Sequence, residues 1–164
     1  MAYIRFASII PIVALLAASQ AFSAQSAGPD GEVLATVSAA LSAAQAGDVE
    51  KLRGQYAPDC VFIDEFAPFR WSGAHAIDDY FASAGRMYQE TQHGAVKMTV
   101  SPPSYVYVSG DDAYVVEPLS EKATVKGKAY KSKGLLTFTL IRKDQVWKIT
   151  SQTWSKTRET MNPY

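Results

Sequence analysis

Residues Gly134 to Trp154 read GLLTFTLIRKDQVWKITSQTW, two runs of alternating apolar and polar residues separated by Arg142-Lys143-Asp144-Gln145. Alternation sends successive side chains to opposite faces of a strand, so the segment is a β-hairpin. Closed as a four-residue connection, it sets Ile141 opposite Val146. Leu136, Phe138, Leu140, Trp147, Ile149 and Ser151 then share one face. The other carries Leu135, Thr137, Thr139, Lys148, Thr150, Gln152 and Trp154. The first face is core. The second is polar with apolar islands, the pattern of a solvent surface or a modest subunit interface.

Outward from this hairpin, the chain toward its N-terminal side continues in the same style. Lys126-Gly127 is a tight-turn signal between two long strands, and Ser109-Gly110-Asp111-Asp112 joins strands at Tyr105 to Val108 and Ala113 to Leu119. A further strand, Val96 to Val100, precedes a Pro-Pro break. Lys122, Lys126, Lys128, Lys131 and Lys133 form a basic run around the tight turn, read as a solvated hairpin tip.

Before Gly94 the period changes to that of helices. Asp30 is a candidate N-cap for a helix marked by Val33, Val37, Leu41 and Ala44, and Gly47 ends it. Asp48 caps a short helix with Val49, Leu52 and Tyr56 on its apolar side, stopped by the Ala57-Pro58-Asp59 turn. Cys60 to Phe66 is a strand with Phe62, Asp64 and Phe66 on one side, so only one of the adjacent acids Asp64 and Glu65 faces inward. A loop from Ala67 to Trp71 leads to Ser72 as a cap and to a third helix with Ile77, Phe81, Ala84 and Tyr88 as its buried stripe. Helices first and antiparallel hairpins after them define an α+β fold, with three helices in the N-terminal half packed on the concave face of a strongly curved antiparallel sheet. Such a closure leaves a cavity.

The first residues differ from the rest. Arg5 precedes an almost continuously apolar stretch from Phe6 to Ala18, followed by small and polar residues. This is the order of a secretory signal peptide, with a core too short to span a bilayer. Cuts after Ala21 or Ser23 both satisfy the small-residue requirement, and the signal is assigned to residues 1–24 with the cut between 21 and 27. An exported, periplasmic or secreted chain with no membrane span in its mature form is expected. Roughly 140 residues remain, enough for one core, assigned to 29–160.

The whole chain has 16 basic and 16 acidic residues, a balance that argues against a nucleic-acid partner. One cysteine, Cys60, leaves the fold without an internal disulfide. The two histidines, His75 and His93, are too few and too scattered for a metal site. His75 and Asp79 share a helix face, but a metal normally takes three or four protein ligands. No cofactor is called for.

The stretch GDVEKLRGQYAPDCVFIDEFAPFRWSGAHAIDDYF, Gly47 to Phe81, together with the final hairpin, resembles the SnoaL-like branch of the nuclear transport factor 2-like superfamily over roughly Val33 to Ser155. The resemblance implies a cone-shaped fold with a pocket between helices and sheet, often in a homodimer. Such folds host isomerases, dehydratases, cyclases, carriers and assembly domains, so the site must be argued from its residues.

Asp64 lies where the superfamily's ketosteroid isomerases place a general-base aspartate. Among Phe62, Phe66 and Cys60 its carboxylate would be desolvated and its pKa raised toward neutrality. The alternative is a carboxylate hydrogen-bonded to turn amides. The isomerase pattern also requires an oxyanion hole, a tyrosine and a neutral acid. The matching positions here are Ala40 and, within a residue, Thr137 or Phe138, which argues against steroid-type isomerisation. Phe69, Trp71, Tyr80, Phe138 and Trp154 join Phe62 and Phe66 as pocket-lining candidates, or are plain core. Three functions follow: binding of a small, largely apolar molecule; a lyase or isomerase using Asp64 as acid or base; or a homodimeric assembly module using Leu135, Thr137, Thr139, Thr150 and Trp154.

Overall fold

A computed structural model describes residues 28–161, and the signal assigned to the first residues lies outside them. Three helices, α1 (Pro29–Ala46), α2 (Val49–Arg53) and α3 (Ala76–Glu90), accompany seven strands. These are β1 (Tyr56–Ile63), β2 (Arg70–Ser72), β3 (Lys97–Val100), β4 (Tyr105–Ser109), β5 (Asp112–Val125), β6 (Lys128–Lys143) and β7 (Val146–Met161). They form one curved, open sheet ordered β2-β1-β7-β6-β5-β3, with β4 also paired to β5. The sheet is mixed rather than wholly antiparallel, because β1 runs parallel to β7.

The helix ends follow from local chemistry. Gly47 takes the left-handed conformation (φ 67°) that closes α1, and the Asp48 side chain accepts the Lys51 N–H at 3.1 Å to start α2. Three boundaries differ from the sequence reading. Gly28, not Asp30, stands at the cap of α1. His75, not Ser72, stands at the cap of α3, because Ser72 is held in β2, a short strand where a loop was expected. Ala57, Pro58 and Asp59 belong to β1 instead of forming a turn, and the irregular register between Tyr56 and Val61 accommodates them.

Val33, Val37, Ala40 and Ala43 of α1 meet Phe62, Val115, Phe138, Leu140, Trp147 and Ile149 of the sheet in the core. The expected core face of the β6–β7 hairpin is buried as far as Ile149. Beyond it the expectation fails, for a local reason. The turn closes on two residues, Asp144 and Gln145, both at positive φ (51° and 64°), which pairs Lys143 with Val146. Leu140 then pairs with Ile149 but Thr139 with Ser151, leaving Thr150 as an inserted residue. The Thr139 hydroxyl bonds the hydroxyls of Thr150 at 2.8 Å and Ser151 at 2.6 Å at this bulge. A bulge reverses the alternation. Gln152 and Trp154 therefore turn to the concave face, and Ser151 leaves it.

A second shift follows: Gly134 pairs with Lys156 and Lys133 with Arg158, so Thr157 is the extra residue and donates its hydroxyl to the Lys133 carbonyl at 3.1 Å. Lys156 and Glu159 thus both reach the concave side.

Candidate functional site

Between the helices and the concave sheet lies a cavity of about 610 Å³. Its walls come from all three helices, from β1, β3, β5, β6 and β7, and from the loop after β1. Leu41, Ala44, Leu52, Ala84, Met87, Val96, Met98, Leu119 and Leu136 make most of the surface apolar, and the rings of Phe62, Phe66, Tyr80, Tyr88, Tyr130 and Trp154 complete it.

Aromatic contact sets one wall. Phe62 stacks between Tyr56 (centroids 5.1 Å apart) and Tyr80 (4.7 Å), and Trp71 meets Tyr80 edge-on at 5.1 Å. Trp71 itself is buried behind this wall, donating its indole N–H to the Ser83 hydroxyl at 3.1 Å. The stack fixes the Tyr80 hydroxyl, which donates to Asp64 Oδ2 at 2.8 Å.

Asp64 sits just past the end of β1. Its backbone N–H donates to the Phe69 carbonyl at 3.2 Å, and its Oδ1 accepts the Glu65 N–H at 2.7 Å. Burial is the largest influence on its carboxyl group and outweighs these two donors, pushing its pKa up to about 6. The two sequence alternatives, a desolvated carboxylate and a turn-bonded one, thus describe the same side chain. Because the strand stops at Ile63, alternation stops too, and Glu65 lines the cavity beside Asp64 instead of pointing away.

The sequence-derived lining candidates divide by position. Phe62, Asp64, Phe66, Tyr80 and Trp154 line the cavity. Phe138 is fully buried core beneath it, Trp71 lies behind the aromatic wall, and Phe69 is 57 % exposed at positive φ outside it. Those three are corrected: Phe138 and Trp71 face packed neighbours, and the left-handed Phe69 swings out of the loop. Phe81, placed on the buried stripe of the third helix, lines the cavity while remaining 37 % exposed, and Tyr80 takes the inner position.

Ala40 contributes a methyl group where the isomerase pattern has a tyrosine. The cavity's donors stand elsewhere. The Tyr56 hydroxyl donates to Gln152 Oε1, which leaves the Gln152 amide N–H groups available. His93 also lines the cavity, bonded to the Thr91 hydroxyl and packed against Tyr88 and Tyr130. At the mouth Lys156 Nζ binds Glu65 Oε1 at 2.9 Å and also Glu159. Glu121 accepts a bond from the buried Ser132 hydroxyl at 2.7 Å. Sequence reading missed these residues. The signal that could have revealed Glu121 was its two-residue spacing from Leu119, which puts both on the inner face of β5. Nothing local foretold Gln152, Lys156 or Glu159.

Among the described residues no group of three or more His, Cys, Asp or Glu is arranged to hold a metal ion. No helix among them is long and apolar enough to cross a membrane.

An open, curved sheet covered by three helices around an interior cavity is the architecture of the nuclear transport factor 2-like class. Residues 33–159 match the model of the SnoaL-like domain, and the chain belongs to that family. Solved structures agree in fold. A ketosteroid isomerase-like protein from Erwinia carotovora atroseptica superposes with a TM-score of 0.64 at 20 % identity, covering 77 % of this chain and 95 % of that one. The hexachlorocyclohexane dehydrochlorinase LinA-type3 from Novosphingobium barchaimii gives 0.66 at 12 % identity, covering 79 % and 90 %. An NTF2-like protein of unknown function from Pseudomonas putida gives 0.56 at 17 %, covering 76 % and 83 %. No curated protein matches the sequence.

Proposed function

We propose that this domain is exported and binds a small, largely apolar molecule in its cone cavity. The cavity carries the reading: about 610 Å³ of space walled by apolar and aromatic side chains, with a few polar groups gathered at fixed places, is the composition of a small-molecule site. Native mass spectrometry of protein purified from its own host tests both halves. The expected spectrum shows a chain lacking its first 21 to 27 residues, with a small molecule retained. Ala84 lines the cavity, so Ala84→Trp should fill it, remove the retained mass and abolish the fluorescence gain of the neutral dye Nile red. A chain that still begins at Met1 would overturn export, and a folded wild type that neither retains a molecule nor brightens the dye would overturn the pocket.

A second reading is favoured by one observation, the carboxyl group of Asp64 with its pKa raised to about 6 beside the Tyr80 hydroxyl. A carboxylate with that proton affinity is suited to take a proton from an acidic C–H near neutral pH. The structural neighbours include a ketosteroid isomerase-like protein and a dehydrochlorinase, which supports an isomerase or lyase. On this reading Asp64→Asn loses turnover while still binding substrate.

A further inference from the structure

The charges that line the cavity do not balance. Lys156 is the one Lys or Arg on its wall among the described residues, and it is already shared by Glu65 and Glu159. Among the described residues Asp64 and Glu121 are left with neutral hydrogen-bond partners only. Asp64 has the Tyr80 hydroxyl and the Glu65 amide, and Glu121 has the Ser132 hydroxyl. Neutral donors solvate a carboxylate but do not cancel its charge, and a half-buried carboxylate is stabilised most by a cation.

The other titrating groups register the same negative field. Glu65 and Glu121 add to burial in raising Asp64, and Glu121 and Asp64 add to burial in pushing Tyr88 up to about 12. Around these carboxyl groups stand Phe66, Tyr80, Tyr88, Tyr130 and Trp154. Aromatic faces attract cations, the more so where water is excluded. A bare metal ion fits poorly, since calcium or magnesium would need six or more oxygen ligands and the remaining walls offer apolar carbon.

We propose that the cavity's ligand carries a protonated amine, its apolar body filling the cone and its ammonium group within reach of Asp64 and Glu121. This rests on the cavity being a ligand site and specifies the class of ligand. Carboxylates and sulfonates of the same shape are repelled. The ammonium gains carboxylate partners and ring faces that an alcohol of equal size cannot use, so the discrimination resides in charge and not in fit.

Calorimetric titration of the mature protein with naphthylethylamine, naphthylethanol and naphthylacetate separates the outcomes, because the three share one apolar body. In wild type near neutral pH the amine should bind at least about tenfold more tightly than the alcohol, with no measurable binding of the acetate. Glu121→Gln keeps an acceptor for Ser132, and Asp64→Asn keeps one for Tyr80. Either change should shrink the amine-to-alcohol ratio to about threefold or less. Equal binding of amine and alcohol by wild type overturns the charge assignment while leaving the pocket standing. Tighter binding of the acetate overturns it as well. Failure of all three, together with failure to bind Nile red, overturns the pocket and the amine alike.

Discussion

Asp64 is pulled in opposite directions by its surroundings. The Tyr80 hydroxyl and Glu65 amide favour the carboxylate, burial favours the acid, and burial wins. Its folded pKa of about 6 lies above the 3.8 of an unperturbed aspartate, so the folded chain holds this proton more tightly than the unfolded chain does. The stabilisation that follows is fully present below about pH 4 and is lost as pH rises through about 6. Asp64→Asn cannot ionise and should therefore gain on wild type across that window. The expected gain is about 1–2 kcal/mol by neutrality, after allowance for water at the mouth. Urea denaturation of both proteins at a series of pH values measures it. A wild type that instead gains on the variant as pH rises would show that the two donors hold Asp64 as a carboxylate, and the acid–base candidate would be lost. Asp64 was legible in the sequence because its neighbours Phe62 and Phe66 are apolar and adjacent. Glu121 was legible only as an inward position two residues from Leu119, and His93 was not legible, since its access to the cavity depends on where the chain after α3 meets β5.

The two bulges on β7 decide what the cavity is made of. Alternation along Val146 to Trp154 correctly assigns Trp147 and Ile149 to the core, and it would send Gln152 and Trp154 outward. The inserted Thr150 reverses this, and the inserted Thr157 brings Glu159 round beside Lys156. Periodicity made the strands and hairpins legible, but a bulge is one residue in count and leaves no mark in an alternating pattern rich in Thr and Ser. Gly134 is the counterpart on β6. A Cβ at that position would run into the Trp154 ring and the Ser155 carbonyl, so the absence of a side chain lets the indole lie against the strand. Gly134→Ala should cost about 1–3 kcal/mol by overpacking and drive Trp154 toward the cavity. A thermal melt should show the loss, and Nile red affinity should fall with it. An unchanged melt and unchanged dye binding would mean that the indole has room to move elsewhere and is not fixed by Gly134.

At the scale of the whole molecule the sheet has two different faces, a concave one that walls the cavity and a convex one with exposed tyrosines. The order of helices and hairpins in the sequence was enough to give the α+β architecture and to place the helices on the concave side. It did not show that β1 joins the sheet parallel to β7, a contact between segments about 90 residues apart that no local pattern encodes. On the convex side Tyr105, Tyr107, Tyr114 and Ile141 are all exposed, and Leu135, Thr137 and Thr139 lie on the same face. Trp154, assigned to this face by alternation, is absent from it because of the Thr150 bulge. Tyr105 and Tyr114 meet edge-on with centroids 6.2 Å apart across the β4–β5 pair, and among the described residues no element covers them. Exposed tyrosines on a strand face make a surface suited to an isologous contact, in which each copy presents the same patch to the other. We propose a homodimer through this face. Sedimentation of the protein at micromolar concentration should report twice the chain mass. Tyr107→Glu would bury two facing carboxylates in such a contact and should shift the population to monomer, while Nile red still brightens because Tyr107 lies outside the cavity. A wild type that sediments as a monomer removes the dimer, whereas a dimer unaffected by Tyr107→Glu places the contact on some other face.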